Sequence, residues 1–189
     1  MLETLKQHIE KRLGHHPDEL DRVLGSFRSL KISRGEYLLK EGEVCKCVYY
    51  IAKGCLQIFI CDDTMRETTR DIVIEDNWCS ELISFTKALP AVENIRAVEH
   101  TEVLAIDRNS FYQLMSSVPA FDLVYRQILE ASYANSVHRI NTFVSLTALD
   151  RIRWLMDHRS NLMNRLPSKL IASYLGISQE TFSRLRIQI

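Results

Sequence analysis

The spacing of apolar residues changes twice along the chain, from helical to strand-like and back to helical. In residues 1–28 apolar side chains recur every three or four positions, and Gly14 and Pro17 separate two short predicted helices. Residues 30–107 instead contain short apolar runs separated by turn residues at intervals of roughly eight to twelve positions. The predicted strands are 37–39, 48–51, 56–60, 72–74 and 103–106. This pattern indicates a small antiparallel barrel or sandwich, which a helix-like segment at 78–89 interrupts.

Helical spacing returns after residue 107. Asp107 or Asn109 is suited to cap a short helix, and Pro119 is suited to the first turn of a long one at residues 119–143. Apolar side chains then recur every three or four positions, at Phe121, Val124, Ile128 and Ala131, and continue less regularly to Ile140 and Phe143. We expect this stripe to pair with the same stripe of a second copy in a homodimer. The alternative is that the stripe packs on its own barrel.

The segment at residues 167–186 contains two short helical patterns on either side of Gly176. In the first, Pro167 is suited to the opening turn, and the apolar stripe consists of Leu170, Ile171, Tyr174 and Leu175. Gly176 is suited to end that helix, and Ser178 is suited to cap the second. In the second helix, the spacing of Phe182 and Leu185 predicts that both face inward. Two short helices joined in this way are typical of a helix-turn-helix motif.

A helix-turn-helix places its second helix in the major groove of DNA, where the N-terminal residues lie closest to the base edges. The side chains of Gln179, Glu180 and Arg184 can pair with adenine, cytosine and guanine, respectively. We expect Ser168 and Lys169 to contact phosphates. The other predicted DNA-binding residues are Ser178, Ser183 and Arg186. The alternative is an ordinary helical hairpin with a solvated polar face.

Charge is distributed unevenly, although the whole chain is neutral. The 189 residues include 24 Lys and Arg and 24 Asp and Glu. From Val144 onward there are seven basic and three acidic residues, so the C-terminal region is positive and the preceding region equally negative. A modestly basic C-terminal domain favours nucleic-acid binding. No segment resembles a signal peptide or a transmembrane span, and we expect a cytoplasmic protein that does not bind membranes.

Other chemistries have weaker support in the sequence. Five cysteines with irregular spacing fit reduced cytosolic thiols better than a zinc site or a disulfide framework. We interpret Cys45 and Cys47, which share one face of a predicted strand, as small buried side chains rather than as a redox switch. The adjacent His15 and His16 are interpreted as solvated turn residues, so no metal site is predicted. Because the common hydrolase, nucleotide-binding and metalloprotease motifs are absent, we expect no enzyme activity.

Three motifs in order connect these observations to a known family. The sequence RGEYLLKEGE occupies residues 34–43, and YYIAKG occupies residues 49–54. GISQETFSR occupies residues 176–184. The first two resemble the opening barrel turn and the following strand and turn of the Crp/Fnr family of bacterial transcription regulators. The third resembles the recognition helix of that family, with Gln179 in place of an arginine. The resemblance covers nearly the whole chain and is greatest to Bacteroidetes-type members.

The resemblance implies an α+β fold with three parts. They are a sensor domain at 1–118, built as a jelly-roll-like double-stranded β-helix of the cyclic-nucleotide-binding type, a dimerisation helix at 119–143, and a winged helix-turn-helix domain at 144–189. It implies a homodimeric, sequence-specific DNA-binding transcription regulator, with RNA polymerase as a further candidate partner. Since few residues follow the recognition helix, we expect the wing to be missing or truncated. The alternative function is a cyclic-nucleotide-binding-like module that regulates protein partners, but a docking helix needs an exposed apolar face.

The ligand position departs from the family pattern. Members that bind cyclic nucleotides hold the ribose with the glutamate of a Gly-Glu-Leu turn and the phosphate with a later arginine. Residues 90–94, PAVEN, contain no cation. Arg96 falls about five residues too late, and we expect it to lie in the lead-in of the strand at 103–106. We therefore expect cAMP to bind weakly or not at all, the effector to be another small molecule, and no cofactor. The candidate ligand-binding residues are Ser80, Glu81, Leu82, Asn135 and Ser136.

Overall fold

The computed structural model describes all 189 residues, which form eight helices and eight strands. The helices are α1 (Leu2–Leu13), α2 (Leu20–Gly25), α3 (Leu82–Lys87), α4 (Arg108–Ser117), α5 (Pro119–Ser145), α6 (Ala148–Arg165), α7 (Ser168–Leu175) and α8 (Gln179–Arg186). The strands are β1 (Arg28–Ile32), β2 (Tyr37–Leu39), β3 (Cys47–Lys53), β4 (Cys55–Cys61), β5 (Glu67–Ile74), β6 (Trp78–Cys79), β7 (Asn94–Ala97) and β8 (Thr101–Asp107).

The chain divides into two compact units. The barrel unit comprises residues 1–58 and 72–131. The C-terminal unit comprises residues 59–71 and 132–189. The second unit therefore includes the β4–β5 hairpin tip, the last part of α5 and the three following helices.

Two four-stranded sheets contain all of the strands, in the orders β1-β8-β3-β6 and β2-β7-β4-β5. Strand β8 pairs antiparallel with both β1 and β3, which places Arg28, Ala105 and Tyr49 in one row across the first sheet. Residues paired in this way project from the same face of a sheet. Residues 47–51 of β3 are all buried because both faces of this strand are covered. On one of those faces, the Tyr50 hydroxyl donates to the Thr4 carbonyl oxygen of α1 at 3.1 Å.

Aromatic side chains from the helices complete the barrel core. Phe85 of α3, Phe111 of α4 and Phe121 of α5 are each at most 2% exposed. The Phe111 ring meets the Phe85 and Phe121 rings edge to face, with centroid separations of 5.4 and 5.6 Å. Full burial of such a side chain contributes about 1.5–3 kcal/mol, so these contacts hold α3, α4 and the start of α5 on the barrel.

A buried histidine attaches α1 to the barrel. Nδ1 of His8 lies 2.6 Å from an Asp76 carboxylate oxygen, and Nε2 accepts from Arg12 Nε at 2.9 Å and Trp78 Nε1 at 3.0 Å. Because both of those groups can only donate, Nε2 carries no proton and Nδ1 donates to Asp76. Burial lowers the pKa of His8 and outweighs the opposite effect of the Asp76 carboxylate. The ring is therefore neutral in this arrangement.

The C-terminal unit has its own core. Helices α6, α7 and α8 bury one face each, and the most deeply buried side chains are Ile152, Leu155, Leu162, Ile171 and Phe182. No strand follows α8 within the 189 residues, so the predicted wing is not among the observed elements.

Most predicted elements are confirmed. The five predicted strands fall within β2, β3, β4, β5 and β8, Asp107 is the N-cap of α4, and the helix-like segment contains α3. Four elements were not predicted from the sequence: β1, β6, β7 and α6. Strands β6 and β7 have two and four residues, which is too short for a periodic signal. Helix α6 is interrupted by non-helical backbone at Arg159, which breaks its apolar periodicity. None of the helices is both long and apolar enough to cross a bilayer.

The predicted pairing stripe on the long helix is wrong in its N-terminal part. Phe121 and Val124 are 2% and 1% exposed within the barrel core, and Ile128 packs partly against that core. This part of the stripe therefore packs on the barrel of its own chain, which was the alternative interpretation. Ala131 is exposed but lies beyond the barrel core. Ile140 and Phe143, to which the predicted stripe continues, are 61% and 37% exposed. The other large apolar residues of α5 that are exposed to solvent are Leu123, Leu129, Tyr133, Val137 and Val144.

Candidate nucleic-acid interface and ligand position

Helices α7 and α8 form the predicted helix-turn-helix, and their ends are capped as expected. Gly176 ends α7 with a left-handed backbone, φ +67°, and the Ile177 amide donates back to the Ala172 carbonyl oxygen at 3.0 Å. This is the hydrogen-bond pattern of a Schellman C-cap. Ser178 begins α8, because its Oγ accepts from the Thr181 amide at 3.1 Å. Phe182 is buried at 1% exposure and fixes which face of α8 points outward.

The outward face of α8 is polar and unoccupied by other parts of the chain. The predicted base-reading residues Gln179, Glu180 and Arg184 are all exposed. None of their side chains has a hydrogen-bond or ion-pair partner within the chain, so they are available to an external partner. The other predicted DNA-binding residues are distributed as follows: Ser178, Ser183, Arg186 and Lys169 are exposed, and Ser168 is half-buried at the start of α7.

A cluster of arginines and aromatic rings holds the turn between α7 and α8. The Arg139 guanidinium of α5 stacks on the Phe143 and Tyr174 rings at 4.7 and 4.0 Å from their centroids. Arg151 of α6 lies 4.9 Å from the centre of the same Phe143 ring. Arg139 also donates to the Tyr174 carbonyl oxygen at 2.7 Å, and burial lowers its pKa from the ordinary arginine value. This cluster was not predicted from the sequence, because no local spacing connects residues so distant in the chain.

The β4–β5 hairpin tip packs against α7 within the C-terminal unit. The buried Thr69 amide donates to Ser173 Oγ at 2.9 Å, and that hydroxyl donates to the Glu67 carbonyl oxygen at 3.3 Å. Arg139 Nη2 donates to the Thr69 carbonyl oxygen at 3.3 Å. Both backbone groups of Thr69 are thus paired with helices of this unit. The first helix of the helix-turn-helix is therefore attached to residues 67–69 within this unit.

The predicted ligand residues of the barrel unit serve local structure. Glu81 is 4% exposed, and its Oε2 accepts from the Ser84 amide at 2.5 Å, which caps α3. Ser80 Oγ donates to the Cys47 carbonyl oxygen at 3.3 Å. Leu82 is exposed at 46%. Glu81 is therefore buried, and one of its oxygens is already used by its own helix.

No cation occupies the predicted phosphate position. Ala91 is buried, Val92 is 63% exposed, and Glu93 is 9% exposed. Arg96 lies on β7, where it donates to Gln57 Oε1 at 2.9 Å and to the Tyr37 hydroxyl at 3.3 Å. Arg96 therefore belongs to a separate strand paired with β2, and not to the lead-in of the strand at 103–106, where the sequence had placed it.

The two ligand candidates on the long helix are exposed. Asn135 and Ser136 lie on the part of α5 that belongs to the C-terminal unit, and Ser136 Oγ donates to the Ser132 carbonyl oxygen at 2.9 Å. None of the five cysteines forms a disulfide, and four of them are buried. His16 hydrogen-bonds to Glu10 at 2.6 Å.

Comparison with known proteins supports the two-part organisation. Residues 29–118 match the family described as the cyclic nucleotide-binding domain. The regulator CLP of Xanthomonas campestris, described as c-di-GMP responsive, shares 16% identity over 89% of both chains with a TM-score of 0.74. Thermus thermophilus catabolite activator protein shares 19% identity over 96% of this chain and 85% of its own, with a TM-score of 0.59.

A protein of Eubacterium rectale assigned to the Crp/Fnr family of transcriptional regulators shares 14% identity, covers 88% of this chain and 80% of its own, and gives a TM-score of 0.69. A search of curated protein sequences finds no significant match. At these identities the structural likeness shows the fold alone. Residues 29–118 are therefore similar to the cyclic nucleotide-binding domain family, and the overall fold is similar to that of Crp/Fnr-type regulators.

Proposed function

We propose that this protein is a sequence-specific DNA-binding transcription regulator of the Crp/Fnr type. The observation that carries the proposal is the outward face of α8, where Gln179, Glu180 and Arg184 are exposed and have no partner in the chain. The opposite face of α8 is anchored by Phe182, so these side chains project from a fixed helix. A helix of this kind fits the major groove, and its N-terminal residues contact base edges.

The backbone of DNA is contacted by a second set of residues in this proposal. Lys169 is exposed at the start of α7, and Ser168 and Ser178 lie at the N-terminal ends of the two helices. Amide groups and hydroxyls at helix N-termini are suited to phosphate oxygens. Ser183 and Arg186 extend the surface along α8. These contacts position α8 on DNA and carry no sequence preference of their own.

The active form in this proposal is a homodimer joined through α5. Tyr133, Val137, Ile140 and Val144 are 73%, 37%, 61% and 82% exposed and recur at spacings of four, three and four residues. That is the spacing of the pairing seam in a two-stranded coiled coil. Residues 131–138 are all exposed in the single chain, so the rest of the chain covers little of these two helical turns. A second copy would cover them and present two α8 helices to two half-sites.

The barrel serves as the sensor in this proposal, and its effector is a small molecule other than cAMP. The observation that supports this is the pair Ala91 and Val92, at the position where a phosphate would require a cation. We propose no catalytic role, no cofactor and no membrane association, and a cytoplasmic location, with RNA polymerase as a further partner at promoters. DNA binding and dimerisation require neither an enzyme activity nor a cofactor.

Selection of binding sites from a random double-stranded DNA library tests the proposal. The full chain is expected to enrich a pseudo-palindrome whose half-sites lie about one helical turn apart. Fluorescence anisotropy on the enriched site should show affinity that falls steeply as salt increases, because phosphate contacts release counterions. Sedimentation equilibrium should give twice the chain mass. Enrichment of no sequence, together with salt-independent affinity, would contradict DNA recognition and favour the module that acts through protein partners.

A further inference from the structure

A cavity of 370 Å³ lies between β1, β2 and the segment that leads into β3. It is separate from the cyclic-nucleotide position, since neither Glu81 nor Ala91 is among its lining residues. Leu38, Leu39 and Val44 form its apolar wall, and Arg28, Cys47 and Tyr49 contribute polar groups. Binding sites for small molecules combine an apolar wall with a few polar groups in this way.

Tyr49 supplies a hydroxyl that the chain leaves unpaired at the wall of the cavity. The residue is 7% exposed and lines the cavity, yet its hydroxyl has no hydrogen-bond partner in the protein. The hydroxyl is reachable from the cavity, because Arg151 Nε is the only fully buried side-chain nitrogen or oxygen without a partner in the protein. Burial also raises the pKa of Tyr49 well above its ordinary value, so the hydroxyl stays a donor at neutral pH. An acceptor in the cavity would satisfy it.

Arg28 places a positive charge beside this hydroxyl. Arg28, Ala105 and Tyr49 form one row across adjacent strands, and both Arg28 and Tyr49 line the cavity. The only polar side-chain contact of Arg28 is to Cys47 Sγ at 3.6 Å, and sulfur is a weak acceptor. No carboxylate of the chain forms an ion pair with Arg28. The guanidinium is therefore available to an anion.

The remaining charged groups of the cavity determine how much negative charge it can hold. Lys46 lines the cavity with an exposed side chain, and Glu43 contributes one carboxylate, whose Oε2 accepts from the Lys40 amide at 3.0 Å. Two cations and one carboxylate leave a single positive charge. This balance fits one negative charge on the ligand, while Glu43 would repel a dianion.

We propose that this cavity binds a small organic monoanion, a carboxylate on a compact apolar body. Its carboxylate accepts from the Arg28 guanidinium and the Tyr49 hydroxyl, and its apolar body contacts Leu38, Leu39 and Val44. The cavity wall is also tied to the loop after α3, because Val44 forms a β-bridge with Pro90. Binding of a ligand in the cavity would therefore affect α3, the helix that Glu81 caps. Binding itself does not depend on DNA, and only a regulatory consequence rests on the proposed function.

Titration of the isotope-labelled full chain with benzoate, followed by amide chemical shifts, tests this site. Benzoate is expected to give saturable shifts confined to residues 28–49 and their neighbours. The uncharged isostere benzamide should bind at least tenfold more weakly, because it lacks the charge that pairs with Arg28. Acetate, which lacks the apolar body, should also bind more weakly than benzoate.

Three variants locate the site on named side chains. Arg28→Gln and Tyr49→Phe should each weaken benzoate binding about tenfold, and both should keep the wild-type melting temperature within a few degrees. Lys31→Gln is the matched control, since it removes a cation from the same strand but on the opposite face. Its affinity should equal that of the wild type. Equal binding of benzoate and benzamide, an unchanged Arg28→Gln, or no saturable binding would overturn the proposal. Because no DNA is present, these results are independent of DNA recognition.

Discussion

Gly176 and Phe143 fit together so closely that a β-carbon at position 176 would lie 2.5 Å from Phe143 Cε1. Gly176 is the hinge residue of the helix-turn-helix, and Phe143 lies near the end of the long helix that precedes it. The ring cannot move away easily, because the Arg139 and Arg151 guanidinium groups both stack on it. The turn between α7 and α8 is thus held by the long helix itself.

Gly176→Ala should destabilise the C-terminal unit for two reasons. The left-handed backbone, φ +67°, costs about 1–2 kcal/mol for a residue with a β-carbon. Displacement of the Phe143 ring adds to that cost, because real β-carbons do not approach other atoms to 2.5 Å. Urea denaturation followed by circular dichroism would measure the loss.

A double-mutant cycle separates the two causes. In the background of Phe143→Ala, Gly176→Ala should cost only the backbone part, so the coupling free energy between the two sites should be clearly different from zero. Gly14→Ala is the matched control, since its φ is +76° and a β-carbon at that position would have no atom within 4 Å. Equal losses for Gly176→Ala in both backgrounds would show that the contact with Phe143 is unimportant.

Arg184 and Lys169 should affect DNA binding in different ways. Arg184→Ala is expected to cost about 1–3 kcal/mol on the preferred site and to relax the preference at one base pair. Lys169→Ala should weaken binding to all sequences alike and reduce the salt slope by about one unit. Anisotropy titrations at several salt concentrations, on the preferred site and on a scrambled one, would distinguish the two patterns. If Arg184→Ala lost affinity equally for both sequences, a base-reading role would be excluded.

Ile140→Glu should convert the proposed dimer to a monomer. The residue is 61% exposed at the centre of the apolar stripe, and a carboxylate there would face its copy across the seam. Asn135→Glu is the control, because it introduces the same charge on the opposite side of α5. Sedimentation velocity at micromolar concentration would report the change. A dimer that persists in Ile140→Glu and dissociates in Asn135→Glu would place the interface on the other side of the helix.

Calorimetric titration with cAMP should show no saturable heat at micromolar protein concentration. None of the residues at the phosphate position is positively charged, and Glu93 places a carboxylate there. Glu93→Gln removes that charge without adding a cation, so it should not restore tight binding. Submicromolar affinity in the wild type would overturn this interpretation of Ala91 and Val92.

The features that could be predicted from the sequence are those that rest on short-range interactions. The caps Asp107, Gly176 and Ser178 were predictable, because a cap is a local hydrogen bond between neighbours in the chain. The stripe at Phe121 and Val124 was misassigned, since helical spacing shows that a face is buried but not what buries it. The Arg139 and Phe143 cluster and the cavity beside Tyr49 join distant segments, so no spacing in the sequence could indicate them.

The stability of the barrel unit should depend on the protonation of His8. Protonation at Nε2 would displace the Arg12 Nε and Trp78 Nε1 donors, and burial adds to this cost, so the folded-state pKa lies below the ordinary value of 6.5. The unfolded chain therefore binds a proton at His8 that the folded chain does not. The stabilising contribution is complete above pH 6.5 and is lost as the pH falls from there through the folded-state pKa.

Urea denaturation between pH 8 and pH 5 would measure this effect by comparing the wild type with His8→Asn. The free energy of unfolding of the wild type should decrease more steeply below about pH 6.5 than that of the variant, because the variant lacks the titrating ring. Asp76 and Arg12 face the ring from the β5–β6 turn and from α1, and both remain in the variant. The difference between the two curves therefore isolates His8 from the other histidines. A difference that stays constant with pH would show that the buried ring does not titrate in this range.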